Sequence, residues 1–225
     1  WRLGQMDVED YQRAADLGPV RGSQAERGRA LGSAELASLF AACAKDKTPA
    51  GCRDAALLAT LYGCGLRRSE GVALDLADYN PQDGGLTVRS GKGRKARVTY
   101  VPQGARPALS AWVAVRGAAA GALFCPVNKG GKLTHRRMTD QAIRKILKKR
   151  GAEAGVAAFT PHDLRRTMIG DLLDAGADIS TVQRLAGHAN VTTTARYDRR
   201  GESAKKRAAS LLDVPYSATA AEGEE

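Results

Sequence analysis

The stretch TPHDLRRTMIGDLLDAGADISTVQRLAGHANVTTTARY, residues 160–197, decides how the chain is read. It gathers two of the three histidines, His162 and His188, with adjacent Arg165 and Arg166 and a tyrosine, Tyr197, in a protein only 5% aromatic. A packed core does not ask for that set, but a phosphate does. Pro161 just after Thr160 opens a helix, and His162 and Arg165, three apart, project to one side of it. The planar fork of arginine suits two non-bridging phosphate oxygens at once, and histidine adds a further hydrogen bond. Arg166, one residue on, is expected to point away as a surface or phosphate-backbone contact. Gly187 lets the backbone approach something closely just before His188, and Asn190 to Thr194 read as the start of another helix.

Tyr197 follows nine residues after His188, among Arg196, Asp198, Arg199 and Arg200. A phenol with a pKa of about 10 is a poor nucleophile until cations stabilise its oxyanion. Tyr197 has the cations. The other tyrosines have plainer settings: Tyr62 in an apolar helix, Tyr100 in a strand, Tyr79 beside a turn, Tyr11 and Tyr216 near the ends. A second phosphate ligand is expected from YGCGLRRSE, residues 62–70, where Arg67 follows a glycine-punctuated helix end and Glu70 can brace its guanidinium.

Around these motifs the periodicities give a coarse architecture. Met6 to Asp16 reads as a short helix, followed by a Gly- and charge-rich linker to residue 32. Ser33 is the expected N-cap of a helix with Leu36, Leu39 and Phe40 on one face, and GCRDAALLATLYGCGL is a buried helix ending at Gly63–Gly65. Residues 85–102 read as a hairpin, strands Leu86–Arg89 and Arg97–Val101 around a Gly- and Lys-rich turn. A helix over 104–116, a short strand ALFCPV and a helix in residues 138–155 follow. That last helix carries Ile143, Ile146 and Leu147 on one face, with Arg144, Lys145, Lys148, Lys149 and Arg150 on the others. From Pro161 the chain is expected to be helical to about Leu212, with breaks near Gly176 and Gly187. After Tyr197, Gly201 breaks the helix and Ser203 caps a last one, with Ala204, Ala208, Leu211 and Leu212 on its apolar face and Lys205, Lys206 and Arg207 mostly outside. The fold class is therefore mainly α with a small antiparallel β-sheet, an α+β domain over residues 33–212. An N-terminal extension or linker (1–32) precedes it, and an acidic flexible tail (213–225) follows.

The composition is that of a soluble globular protein, 43% hydrophobic and 26% charged. The net charge of +11 understates the basic surface. Asp213, Glu222, Glu224 and Glu225 are the only charges after Leu212, which leaves residues 1–212 at +15. Such a charge marks a nucleic-acid partner. Cys43, Cys52, Cys64 and Cys125 form no CxxC pair and His135 is far from each, so zinc spacing is absent and free buried thiols in a reducing cytoplasm are expected. No run of about 18 apolar residues exists to span a membrane, and the first residues have no signal-peptide core. The chain starts at Trp1 rather than Met, as a fragment of a longer protein would.

Together the motifs resemble the tyrosine recombinases, the phage-integrase and Xer-like enzymes. That family shows an Arg in a GLRxSE box, a Lys in a hairpin GKG turn, then HxLR, GH and a Tyr nine residues later. This chain has GLRRSE with Arg67, GKG with Lys92, HDLRR with His162 and Arg165, GH with His188, and ARY with Tyr197, over about residues 33–212. The resemblance implies that Tyr197 attacks a scissile phosphate and leaves a 3′-phosphotyrosyl link. It implies that Arg67, Arg165 and His188 hold the phosphate, that His162 assists tyrosine deprotonation and that Lys92 protonates the departing 5′-oxygen, with Lys95 three residues away as the other candidate. Glu70 supports the site. Arg166 stands where many relatives have a second histidine.

The resemblance further implies site-specific recombination of double-stranded DNA without metal, ATP or other cofactor, by a homo-tetramer assembled on the DNA. A helical core-binding domain is expected upstream of Trp1. Arg94, Lys95, Arg136, Arg137, Arg144, Lys148 and Arg166 are the candidate contacts to the DNA backbone. Two other readings stay open. A type IB topoisomerase would relax supercoils by the same chemistry, and a DNA-binding module could keep the fold without catalysis, although a decayed site usually loses a member of the set.

Overall fold

The computed structural model describes residues 7–15, 28–89 and 96–215. Helix α1 (Val8–Ala15) lies within the expected N-terminal segment. Helices α2 (Ser33–Lys45) and α3 (Pro49–Gly63) are joined by a turn in which Thr48 caps α3, its hydroxyl accepting the Ala50 N–H at 3.2 Å ahead of Pro49. The short α4 (Arg68–Ala73) follows, then an antiparallel hairpin of β1 (Gly85–Val88) and β2 (Arg97–Tyr100), paired Gly85 to Tyr100 through Val88 to Arg97. Helices α5 (Arg106–Arg116) and α6 (Asp140–Glu153) complete the larger layer. Its core holds Leu39, Leu57, Leu61, Trp112, Ile143, Leu147 and Leu164, all nearly or fully buried. Full burial of each such side chain is worth about 1.5–3 kcal/mol.

The C-terminal third is the expected run of broken helices: α7 (Pro161–Asp174), α8 (Ile179–Ala186), α9 (Val191–Ala195) and α10 (Gly201–Ser210). The breaks fall at Gly176 and Gly187, both with positive φ, which glycine adopts without strain. A second, smaller core of Met168, Ile169, Leu173, Val182 and Ala186 knits α7 to α8, with Tyr62 and Tyr197 packed at its edge. Cys43, Cys64 and Cys125 are buried free thiols and Cys52 is half-buried. Among the described residues, no helix is long and apolar enough to cross a membrane.

Several expectations are corrected. The cap of α2 is Gly32 rather than Ser33, because the Glu35 carboxylate turns back to accept the Gly32 N–H at 2.9 Å. The segment 122–127 forms only isolated bridges instead of a strand, because side chains consume its carbonyls. Trp112 Nε1 donates to Leu123 O at 2.8 Å and Arg116 Nε to Ala122 O at 3.0 Å. Arg150, placed among the outward cations of α6, is 2% exposed and ion-paired with Asp46, Asp54 and Glu153. Residues 28–32, read as the end of the linker, are built into the domain. Leu31 is buried with its N–H on Thr167 Oγ1 at 2.9 Å, and the Arg29 N–H reaches Asp163 Oδ1 at 2.9 Å. Tyr197 sits in a turn beyond α9, and α10 begins at Gly201 after Arg200, so Ser203 is inside the helix rather than its cap. Leu211 and Leu212 lie just past α10, 83% and 73% exposed. The tail from residue 216 lies outside the described residues.

Candidate active site

Thr160 and Asp163 cap α7 reciprocally. Asp163 N–H donates to Thr160 Oγ1 at 3.3 Å, and Asp163 Oδ2 accepts both the backbone N–H and the hydroxyl of Thr160 at 2.8 Å. This fixes the first turns, from which His162 and Arg165 project to the same side. Arg165 is 2% exposed, and its Nη1 donates to Gly65 O at 2.6 Å. Gly65 holds φ +57°, and a Cβ there would lie 1.9 Å from Met168 Cε, so the GCG punctuation is what lets the chain pass this close. Arg165 Nη2 is buried and has no hydrogen-bond partner among the described residues. Burial, then the positive charge of Arg67, draws the Arg165 pKa down to about 10, so it stays protonated at neutral pH.

Arg67 precedes α4 as its N-cap residue, and Glu70 reaches back to accept its N–H at 2.8 Å and its Nη1 at 2.7 Å. Arg67 Nη2 donates to Gly187 O at 3.2 Å. Burial would raise the Glu70 carboxyl, but hydrogen bonds from Arg97 and Arg67 overcome it and hold the pKa at about 2. His188 leaves the left-handed Gly187 that ends α8, with its N–H on Gln183 O at 3.1 Å and its carbonyl accepting Gln183 Nε2 at 3.0 Å. Its Nδ1 lies 2.9 Å from the hydroxyl of the fully buried Thr194. Burial, then Arg165 and Arg67, lowers the His188 pKa to about 4, so the imidazole is neutral at pH 7. In the tautomer whose Nδ1 accepts the Thr194 hydroxyl, Nε2–H is available as a donor. Arg67, His162 and Arg165 line one cavity of about 350 Å³, together with Arg68 and Ser69. His162 stays exposed at its mouth, and local burial with the cations Arg165 and Arg166 lowers its pKa.

The Tyr197 ring stacks on His188, centroids 6.2 Å apart at 28°. Arg166 does not point away as expected: it is half-buried, with its guanidinium carbon 5.2 Å from the Tyr197 ring centroid. Arg166, Arg196, Arg199 and Tyr197 line a second cavity of about 180 Å³. The structure thus brings Arg67, Glu70, His162, Arg165, His188 and Tyr197 into one region. Lys92, Arg94 and Lys95 lie outside the described residues. Of the other candidate DNA contacts, Arg136, Arg144 and Lys148 are exposed. Arg137 is tied to its own chain through Val72 O at 2.8 Å, Leu74 O at 3.1 Å and Asp75.

Sequence reasoning missed Arg97. It opens β2 and donates from both Nη1 and Nη2 to Glu70 at 2.9 Å and from Nε to Leu185 O at 3.2 Å. The available signal was strand phase, since Arg97 alternates in step with the buried Thr99 and Val101.

The Phage integrase family pattern matches residues 29–203. Tyrosine recombinase XerC of Pseudomonas aeruginosa is 40% identical over 148 residues, 64% of this chain and 46% of the relative. Tyrosine recombinase XerA of Pyrococcus furiosus is 34% identical over 171 residues, 76% of this chain and 57% of the relative. The chain therefore spans about half the length of these relatives. A crystal structure of XerA recombinase superposes with TM-score 0.67 at 28% identity, covering 93% of this chain and 74% of that one. The Tn1549 transposon integrase in complex with transposon right end DNA shares the fold, with TM-score 0.64 at 21% identity over 92% of this chain and 70% of that one.

Proposed function

We propose that this chain, which belongs to the phage integrase family of tyrosine recombinases, cleaves and rejoins double-stranded DNA at specific sites through a 3′-phosphotyrosyl intermediate. The observation that carries the reading is the buried Arg165 Nη2, without a hydrogen-bond partner among the described residues, beside a cavity that Arg67 and His162 also line. A buried charged donor left unmade is costly, and a phosphate oxygen of the substrate satisfies it. The Tyr197 oxygen attacks phosphorus as the bond to the 5′-oxygen breaks. The phenolic proton leaves through His162, and the 5′-oxygen takes a proton from Lys92. Arg67, Arg165 and His188 Nε2–H carry the charge that builds on the non-bridging oxygens. The phosphotyrosine keeps the energy of the phosphodiester, so attack by the 5′-hydroxyl of a second strand restores DNA without ATP.

The DNA runs over the basic face of residues 1–212, with Arg94, Lys95, Arg136, Arg144 and Lys148 on its backbone, in the cytoplasm beside the genome. Incubation with a nicked suicide duplex in excess EDTA should give a protein–DNA band on a denaturing gel. A band that appears only with Mg²⁺ would assign a different mechanism. Plasmid relaxation that does not depend on paired sites would assign a topoisomerase instead.

A tetramer on DNA fits the C-terminal segment. Among its described side chains in α10 only Ala204 is part-buried, and Leu211, Leu212 and Val214 are 83%, 73% and 66% exposed. A short helix ending in bare leucines is marginal until it finds a groove, and a second copy on the neighbouring half-site offers one. Deleting residues 202–225 should leave adduct formation on the suicide duplex intact and abolish cooperative filling of paired half-sites in a gel-shift titration. Undiminished cooperativity would remove the segment from assembly.

A further inference from the structure

We infer that Arg97 is a positioning residue of the cleavage reaction, one that holds Glu70, Arg67 and the His188 turn in a single reactive arrangement. The inference rests on the recombinase reading, and it concerns a residue that no catalytic motif contains.

The Glu70 carboxylate has about four lone-pair sites, and all are taken. Oε1 accepts Arg67 Nη1 at 2.7 Å and Arg97 Nη1 at 2.9 Å; Oε2 accepts Arg67 N–H at 2.8 Å and Arg97 Nη2 at 2.9 Å. Arg97 alone makes the two-pronged contact, while Arg67 lends Glu70 a single guanidinium nitrogen and turns another toward Gly187 O. Without Arg97, a carboxylate whose side chain is 11% exposed would be left with two unfilled sites. The cheapest repair is for Arg67 to swing round and give Glu70 its own fork. That would withdraw Arg67 from the cavity where the phosphate is read.

Arg97 also grips the far wall. Its Nε donates to Leu185 O at the end of α8, and its guanidinium lies against Gly187, where a Cβ would stand 2.8–2.9 Å from Nε, Cδ and Cζ. Only glycine fits there, both for that contact and for φ +68°. The next residue is His188. One side chain thus links the start of α4, the first residue of β2 and the end of α8, three places far apart in sequence.

Arg97→Ala and Arg97→Lys test this beside the unsubstituted chain, on suicide duplexes with an ordinary or a 5′-bridging phosphorothiolate linkage. Lysine keeps the charge but has no fork. Both variants should bind DNA normally, and Arg97→Ala should form adduct on the order of 100-fold more slowly, the scale of a misplaced catalytic group. Arg97→Lys should remain well below the unsubstituted rate. The deficit should persist with the sulfur leaving group, because the loss falls on phosphate stabilisation and not on leaving-group protonation.

Unchanged rates, or full rescue by sulfur, would overturn the inference. Should Arg97→Ala fail to fold, Arg97→Lys carries the same comparison. If the unsubstituted chain forms no adduct on either duplex, the recombinase reading fails by itself. The placement of Arg97 is then read from the His188 ring resonances of the DNA-free chain. Arg97→Lys should shift them, and unshifted resonances would overturn the inference.

Discussion

Tyr197→Phe is expected to bind DNA as the unsubstituted chain does and to form no denaturant-stable adduct, a loss on the order of 10⁴-fold or more, as for other covalent nucleophiles. The change removes one oxygen. The ring keeps its stack on His188, its place under the Arg166 guanidinium and its packing at the edge of the α7–α8 core. No charge beside the cavity changes, so Arg67, Arg165 and His188, the proposed phosphate ligands, keep their surroundings. A persisting adduct would move the nucleophile to another phenol, and the structure makes Tyr62, packed on the same α7–α8 core, a poor one. The Tyr62 hydroxyl donates to Asp171 at 2.8 Å, and burial with that carboxylate pushes its pKa up to about 12, the wrong direction for a nucleophile. Denaturing gels of the two proteins on the same nicked duplex decide the matter.

Local signals in the sequence carried most of the helices and the order of the site. Pro161 after Thr160, Gly187 before His188 and the apolar faces of α2, α3 and α6 are written in neighbouring residues, and each reappears in the structure. The fold class and the family could be read for the same reason, because GLRRSE, HDLRR, GH and ARY are short motifs in a fixed order. What could not be read depends on partners distant in sequence. Nothing near Arg150 announces Asp46 and Asp54, roughly a hundred positions away, so periodicity alone puts it outside with its neighbours. Arg166 follows Arg165 and should face outward by helical phase, yet the turn that brings Tyr197 back across α7 meets it. The ALFCPV segment has strand composition, and tertiary contacts from α5 overrule it. The linker reading of residues 28–32 rested on composition, which carries no record of Thr167 or Asp163.

Arg150→Ala is expected to cost the domain about 3–5 kcal/mol, the range for removing one partner of a buried ion pair. At 2–4 °C per kcal/mol for a domain of this size, that lowers Tm by roughly 6–20 °C. Arg150 Nε donates to Asp54 Oδ2 at 2.8 Å, Nη2 to Asp46 Oδ2 at 2.6 Å and Nη1 to Glu153 Oε2 at 2.8 Å, which ties α6 to α3 and to the turn before it. After substitution, among the described residues, Asp54, 2% exposed, keeps only Arg53, and the Asp46 carboxylate keeps only its Thr48 contacts. Lys149→Ala is the matched control, since its 3.6 Å pair with Glu153 is exposed on the same helix and should change stability by no more than about 0.5 kcal/mol.

The pH dependence has a definite sign. Burial would raise the Asp46 carboxyl, but hydrogen bonds from Thr48 and Arg150 hold it at about 2 against an ordinary 3.8. A carboxylate depressed in the folded state contributes stability that is complete above its unfolded pKa and is lost as pH falls through the folded one. The gap in Tm between the unsubstituted protein and Arg150→Ala should therefore be widest above pH 4 and narrow toward pH 2. A gap that is absent at pH 7, or that grows on acidification, would mean that the arginine is not held by these carboxylates.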